Sequence, residues 1–297
     1  MKRAVSISIG SSKRDKAVEL NLLGETVRIE RIGTDGDMEK AAQMYRDLDG
    51  QVDAFGVGGA DLGVLVDGKW YRLYGAEPLV RYVQKTPVVD GVGVKNTLER
   101  RVAQFIEQHL AVDPKRVLFT AGVDRWGMSQ SFLAAGYECV FGDLMFALDV
   151  PIPIRSEAAL KRLAALLMPI VGRLPFKMLY PTGKEQEKNT PKHGKWYAWA
   201  KVIAGDCHFI KRYMPARLEG KIICTNTTTP ADVEAFRNAG VSHLVTTTPV
   251  MDGRSFGTNM IEAALIAASG KGRKLTFAEL NELIDKLGFA PQIQELN

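Results

Sequence analysis

Cysteine is almost absent from this chain. Its 297 residues include three, Cys139, Cys207 and Cys224, far apart and with no Cys-x-x-Cys pair. That spacing excludes a disulfide framework and a thiolate zinc site, so no metal is assigned and a reducing compartment is expected. No run of about 18 apolar residues occurs, so no membrane-crossing helix is expected. Met1-Lys2-Arg3 leads into only a short apolar run, which ends in Gly10-Ser11-Ser12-Lys13-Arg14 and does not have the form of a signal peptide. The expected location is therefore cytoplasmic. Internal repeats and low-complexity segments are missing too. No basic stripe on one helix face and no nucleic-acid module is found, so neither nucleic acid nor membrane is an expected partner.

What is present is ordinary globular composition, 46% hydrophobic and 25% charged, in a chain long enough for two domains. The net charge of +5 is unevenly placed: residues 1–112 hold 16 basic and 16 acidic side chains, residues 113–297 hold 23 and 18. Residues 173–221 carry 11 basic and 4 acidic groups. Such a stretch either faces an anionic small-molecule ligand, whose local concentration it raises, or is a solvated basic surface.

Hydrophobic periodicity divides the chain into three parts. Residues 1–112 read as a mixed α/β domain: a strand at 4–9, hairpins at 18–32 and 63–74, a helix at 37–47, a short strand at 53–57, helical turns at 77–84 and a longer amphipathic helix at 96–110. Asp113-Pro114 marks the expected boundary. Residues 113–270 alternate strand and helix, with strands at 116–121, 138–141, 177–180, 201–204, 221–225 and 243–247. Helices are expected at 128–135, 157–171, 193–200 and 230–239. This alternation predicts a Rossmann-like, doubly wound parallel sheet with its ligand crevice at the carboxyl ends of the strands. Helices at 259–269 and 277–287 follow, the latter in a C-terminal segment, 271–297.

The first turn of the second domain carries the main motif, Gly122-Val123-Asp124-Arg125-Trp126-Gly127. A dinucleotide turn has the form G-x-G-x-x-G: one glycine for the tight turn, one for close approach of the pyrophosphate, one for packing. Here Gly122 and Gly127 take the outer positions and Asp124 the middle one. A carboxylate at 124 repels a pyrophosphate unless it turns away or binds a metal, whereas Arg125 and the helix N-terminus favour one. Asp143 closes the next strand at the spacing of the acid that binds a ribose hydroxyl, which favours NAD over NADP. The crevice thus binds a dinucleotide, another small ligand or nothing.

Other chemistry-bearing residues cluster at predicted strand ends. Asp90 and Lys95, in Asp90-Gly91-Val92-Gly93-Val94-Lys95-Asn96, are a candidate proton-transfer pair, with Asn96 and Glu99 as an alternative capping box. His208, in Gly205-Asp206-Cys207-His208, is a third catalytic candidate. Thr225 and Asn226 are placed to bond a ribose or substrate, and Thr229 to cap the helix at Pro230. Arg254 and Asn259 are candidate substrate anchors. Residues 181–188 form a charged loop, either a lid or a solvated connection.

Several of these segments, with Val52-Asp53-Ala54-Phe55-Gly56, Thr86-Pro87-Val88-Val89-Asp90-Gly91, Phe141-Gly142-Asp143-Leu144-Met145-Phe146 and Gly253-Arg254-Ser255-Phe256-Gly257-Thr258-Asn259, resemble a prokaryotic family labelled quinate 5-dehydrogenase. The resemblance spans nearly the whole chain. It implies NAD(P)-dependent oxidation of a cyclic polyol acid by a substrate domain followed by a Rossmann domain. The N-V-T-x-P-x-K stretch of quinate/shikimate dehydrogenases does not occur, and Thr225-Asn226-Thr227 is only a partial echo of their N-T-D, so no catalytic residue is carried over. The expected function is an NAD(P)-dependent oxidoreductase of a small hydroxylated or carboxylated substrate. The alternatives are a non-redox lyase, isomerase or transferase, or a ligand-binding regulatory protein. A homo-oligomeric state is left open.

Overall fold

The computed structural model describes residues 1–180, 189–251 and 254–297; the loop expected as a lid or solvated connection, 181–188, lies outside them. Strands run in chain order β1 (Lys2–Ser8), β2 (Lys16–Leu22), β3 (Glu25–Gly33), β4 (Ala54–Gly58), β5 (Gly63–Val66), β6 (Lys69–Arg72), β7 (Val88–Val89), β8 (Arg116–Phe119), β9 (Glu138–Phe141), β10 (Val202–Ala204), β11 (Ile222–Thr225), β12 (His243–Thr246), β13 (Val250–Met251), β14 (Arg254–Ser255) and β15 (Gln292–Glu295). The helices are α1 (Met38–Leu48), α2 (Val92–Lys95), α3 (Val102–His109), α4 (Trp126–Ala134), α5 (Glu157–Val171), α6 (Phe176–Leu179), α7 (Gly194–Trp199), α8 (Cys207–Tyr213), α9 (Pro230–Asn238), α10 (Thr258–Ser269) and α11 (Phe277–Lys286). None of the described helices is long and apolar enough to cross a membrane.

The chain divides into two units: Met1–Val94 with Leu167–Gln186 and Gly257–Phe289, and Lys95–Leu166 with Glu187–Phe256 and Ala290–Asn297. The seam therefore falls at Val94 rather than at Asp113-Pro114, and α10 and α11 belong to the first unit. The reason is physical: α10 buries nearly every side chain, and it packs on β1, β3 and β4.

The first unit is a five-stranded sheet in the order β2-β3-β1-β4-β7, parallel except for β2. Alternation along β1 sends Val5, Ile7 and Ile9 to a core with Ala41, Tyr45 and Phe55, on the α1 side. Ser6 points the other way, where its hydroxyl accepts from the Asn259 side chain of α10 at 2.7 Å. Gly56 is required there, because a Cβ would lie 2.9 Å from the Asn259 carbonyl.

The second unit has six strands in the order β15-β12-β11-β10-β8-β9, five parallel and β15 antiparallel to β12. This is the expected Rossmann-like, doubly wound α/β sheet, with two changes. The expected strand at 177–180 is the helix α6, whose N-cap is Pro175, a position where the missing N–H of proline removes no helical hydrogen bond. The sixth strand is instead β15 on the sheet edge. The core holds Leu118, Val140, Ile203, Ile223 and Leu244 from the strands, with Trp196, Tyr197, Ile210 and Phe236 from the helices. The helix expected over 96–110 is broken into a 3-10 turn, Glu99–Arg101, and α3. Leu98, Val102 and Ile106 still face inward, since spacing by four sets a face but not an unbroken helix.

Candidate functional site

Strand order reverses between β8 and β10, so the crevice of the second unit lies beyond the carboxyl ends of these two strands. The segment after β8 is Thr120 to Arg125, that after β10 is Gly205-Asp206, and that after β11 is Asn226. Gly205 has φ +144, and a Cβ on it would run into the Thr120 hydroxyl, so only glycine lets β10 end this close to β8.

Arg125 is the hub of this crevice. Its guanidinium is 4% exposed, and each nitrogen meets a different carboxylate: Nη1 donates to Glu99 at 2.7 Å, Nη2 to Asp206 at 2.9 Å, and Nε lies 3.2 Å from Asp124. Lys95, 6% exposed, donates through Nζ to Asp124 at 2.8 Å. Burial alone would raise the Asp124 carboxyl, but the charges of Lys95 and Arg125 outweigh it and hold it below the usual carboxylate range. The same contest holds Asp206 low, with burial opposed by Arg125 and His208. Glu99 goes the other way: it is fully buried, and desolvation raises it despite Arg125 and Lys95. Its Oε1 also accepts from the Thr247 hydroxyl at 3.3 Å, while Oε2 is buried with no partner among the described residues.

The carboxylate at the middle glycine position has therefore turned to two protein cations. The rest of the turn is also occupied. Asp143 accepts from the Gly122 N–H at 3.0 Å and the Val123 N–H at 2.8 Å. Burial, working against these two hydrogen bonds, pushes the Asp143 carboxyl up to about 6. Gly122 has no room for a side chain beside Phe141, and a Cβ on Gly127 would collide with the Lys95 carbonyl. Gly127 thus serves close packing of α4 against the chain at Lys95 and Asn96. Gly127→Ala is expected to cost about 1–3 kcal/mol through overpacking, read from urea unfolding; an unchanged midpoint would show that the backbone at Lys95 yields freely.

Of the residues proposed from sequence, Lys95, Asp124, Arg125 and Asn226 come together here. The Asn226 amide donates to Asp206 at 3.2 Å, and the Thr225 hydroxyl donates to Asn226 at 3.1 Å, so both are turned inward. Arg125 is committed to carboxylates rather than held out for a cofactor. Asp90 lies in the first unit and accepts from the Leu62 and Val92 N–H groups at 2.8 and 3.2 Å. The pairing seen for Lys95 is with Asp124, not with Asp90. Asn259 also lies in the first unit, against Ser6. The His208 backbone N–H donates to Asp206, and its ring is exposed. The side chain of Arg254 lies outside the described residues. Thr229 caps α9 as expected, in a capping box with Asp232. Sequence reasoning missed Glu99 as a cluster member, having placed it in a capping box, and gave Asp206 no role.

These features define a two-unit α/β protein whose second unit has a Rossmann-like sheet and a buried charge cluster at its switch point. The family described as domain of unknown function (DUF8754) matches residues 93–296, and the chain belongs to it. A second, described as domain of unknown function (DUF8753), matches residues 3–90, so the two matches meet near the seam at Val94. No curated protein matches. Among solved structures, the chain is similar to a putative malic enzyme (malate oxidoreductase), at 12% identity and TM-score 0.39, covering 95% of this chain and 76% of that one. It is similar to the NAD-dependent malic enzyme of Thermotoga maritima, at 13% identity and TM-score 0.39, covering 95% and 75%. A periplasmic ribose ABC transporter protein from Conexibacter woesei follows at 13% identity and TM-score 0.38, covering 93% and 88%. At these scores the likenesses carry nothing about activity.

Proposed function

We propose that the second unit is the catalytic part of an enzyme that moves a proton on a small hydroxylated substrate, with Lys95 and Asp124 as the acid–base pair. The observation that carries this reading is their 2.8 Å contact at the carboxyl end of β8. A buried lysine with a fixed carboxylate is a positioned donor and acceptor, the requirement for general acid–base catalysis. Arg125 holds Asp124 ionised and fixes its orientation. Asp124 then accepts a proton from the substrate, and the Lys95 ammonium donates one to the oxygen on which charge develops. No redox partner is needed for this step.

The test is isotope exchange in D2O with a panel of small hydroxylated carbonyl compounds. The protein is expected to exchange the hydrogen next to the carbonyl of its substrate. Asp124→Asn is expected to slow that exchange by about 10²–10⁴-fold while the fold persists. Exchange as fast in Asp124→Asn as in the parent chain would remove Asp124 from the chemistry.

A second reading, NAD(P)-linked oxidation of a quinate- or shikimate-like substrate, is favoured by one contact: Asp143 lies against Gly122, where a ribose-binding acid belongs. Bound there, a nicotinamide cofactor would supply a hydride acceptor. The ribose end fits, since carboxylate oxygens accept more than one hydrogen bond. The pyrophosphate end does not fit: the Gly122 and Val123 N–H groups serve Asp143, Asp124 stands at the middle position, and the Gly127 face of α4 is packed against Lys95. Equilibrium titration decides: NAD or NADP binding below millimolar supports this reading, and no binding by either removes it.

A further inference from the structure

Asp143 differs from the other acids of the crevice. It pairs with no cation among the described residues, whereas Asp124 faces Lys95 and Arg125, and Asp206 faces Arg125. Its partners are peptide N–H groups: Oδ2 accepts from Gly122 and Oδ1 from Val123, one N–H to each oxygen. These are the two residues that precede Asp124 in the chain. Gly122 is held from its other side as well, where the Ser129 hydroxyl of α4 donates to its carbonyl at 3.0 Å. Asp143 also opens a π-helical turn, Asp143–Ala147, a rare form met often at functional sites. The fit calls for a carboxylate. Two oxygens without a proton accept from two donors, whereas a protonated carboxyl or an amide carries a donor of its own there. Burial makes that carboxylate costly and pushes the carboxyl up to about 6, a perturbation of the kind that collects at functional sites. The charge facing it is that of Asp124, which pushes the same way. From α5 the apolar Leu160 lies beside Gly122, and the adjacent Lys161 is paired with Glu157 at 2.7 Å. β9 brings Phe141, and α4 and the π-helical turn add no further charge.

We propose that Asp143 is the positioning residue of the proton-moving pair: its ionised carboxylate pins the two peptide N–H groups before Asp124 and so holds the Asp124 carboxylate on Lys95. The inference rests on the acid–base reading. It gives the acid at the ribose-binding place a different task, in which it touches the backbone of the turn and no cofactor. When Asp143 takes up a proton, one N–H is released, the turn loosens, and Asp124 drifts from the Lys95 ammonium. The pair therefore works above about pH 6 and fails below it.

Three measurements on the whole chain test it. The first needs neither a variant nor a substrate. The Gly122 and Val123 amide signals of the 15N-labelled protein are expected to shift together as pH is raised, with a midpoint of about 6. Signals that stay in place overturn the proposal, and this result decides where a variant does not fold. The second follows the Asp124 carboxyl by 13C NMR in Asp143→Asn. Loss of the Asp143 charge by itself would lower the Asp124 pKa, whereas release of Asp124 from Lys95 raises it. A rise of about one pH unit or more is expected; no change, or a fall, overturns the proposal. The third is isotope exchange in D2O. Its kcat is expected to fall by about 10²-fold in Asp143→Asn, the cost of a small misplacement of a reacting group, with KM nearly unchanged. A kcat equal to that of the parent chain overturns the proposal. Failure of the acid–base reading shows separately, as absent exchange by the parent chain with both NMR results intact.

Discussion

Arg125→Met is expected to destabilise the second unit by about 3–5 kcal/mol, the usual cost of removing one partner from a buried ion cluster. The size follows from what remains. Glu99 is fully buried and loses its 2.7 Å donor, Asp206 loses a 2.9 Å donor, and Asp124 keeps only Lys95. Three acids would then share one cation. Arg125→Lys is expected to recover only part, because a single ammonium on a flexible stem cannot face three carboxylates as a planar guanidinium does. Urea unfolding of the two variants measures this. A loss under about 1 kcal/mol for Arg125→Met, the size of an exposed pair, would mean that the cluster is solvated rather than built in.

Stability should fall as pH rises from about 4.5 to about 8. Glu262 on α10 is 3% exposed and accepts from the Gly93 N–H at 2.8 Å. Burial first, then the nearby Asp90 charge, pushes its carboxyl from 4.5 up to about 8. Asp143 rises in the same sense, from 3.8 to about 6. A carboxyl raised by folding keeps its proton more tightly in the native state than in the unfolded chain. Its contribution is complete below the unfolded value and is lost as pH rises through the folded one. Each such group lowers stability by up to about 1.4 kcal/mol per pH unit inside its window. Asp143 and Glu262 both act up to about pH 6 and Glu262 continues from there to about 8, while Glu99, its carboxyl raised by burial as well, adds slope of the same sign. The acids held low, Asp124, Asp206 and Asp232, give the opposite slope only at more acid pH. Glu262→Gln keeps an acceptor for the Gly93 N–H without the titration. Its unfolding free energy should fall less steeply between pH 6 and 8 than that of the parent chain, and an unchanged slope would place the titrating group elsewhere.

The parts of the fold legible in sequence are those set by neighbours along the chain. The period of α5, the Thr229 cap that starts α9, and the hairpin from β2 to β3 all depend on contacts within a few residues. Where tertiary packing decides, the reading slips. Leu98, Val102 and Ile106 predicted the right buried face but one helix too many turns long. β15 is short and polar, and it becomes a strand because β12 offers an open edge. The seam moved for the same reason: α10 is read as the end of one domain by sequence order, yet it covers the sheet of the other unit.

The site was legible in its pieces but not in its pairing. Lys95 and Asp124 were each singled out, and neither was matched to the other, since 29 positions separate them. Arg125 reaches Glu99 across 26 positions and Asp206 across 81. No periodicity spans such distances. The one available signal was negative: a carboxylate where a phosphate-cradling glycine belongs has to be neutralised by something, and two buried cations do it.

The measurement that bears most directly on the acid–base pair is isotope exchange in D2O by Lys95→Met set beside the parent chain, on whichever hydroxylated carbonyl compound the parent exchanges. Methionine keeps the apolar stem of the lysine and removes the charge. With Lys95 as half of the proton-moving pair, exchange falls by about 10²–10⁴-fold while the unfolding curve shows that the variant is folded. Exchange at the parent rate in folded Lys95→Met, or none by the parent chain on any compound of the panel, would contradict the account.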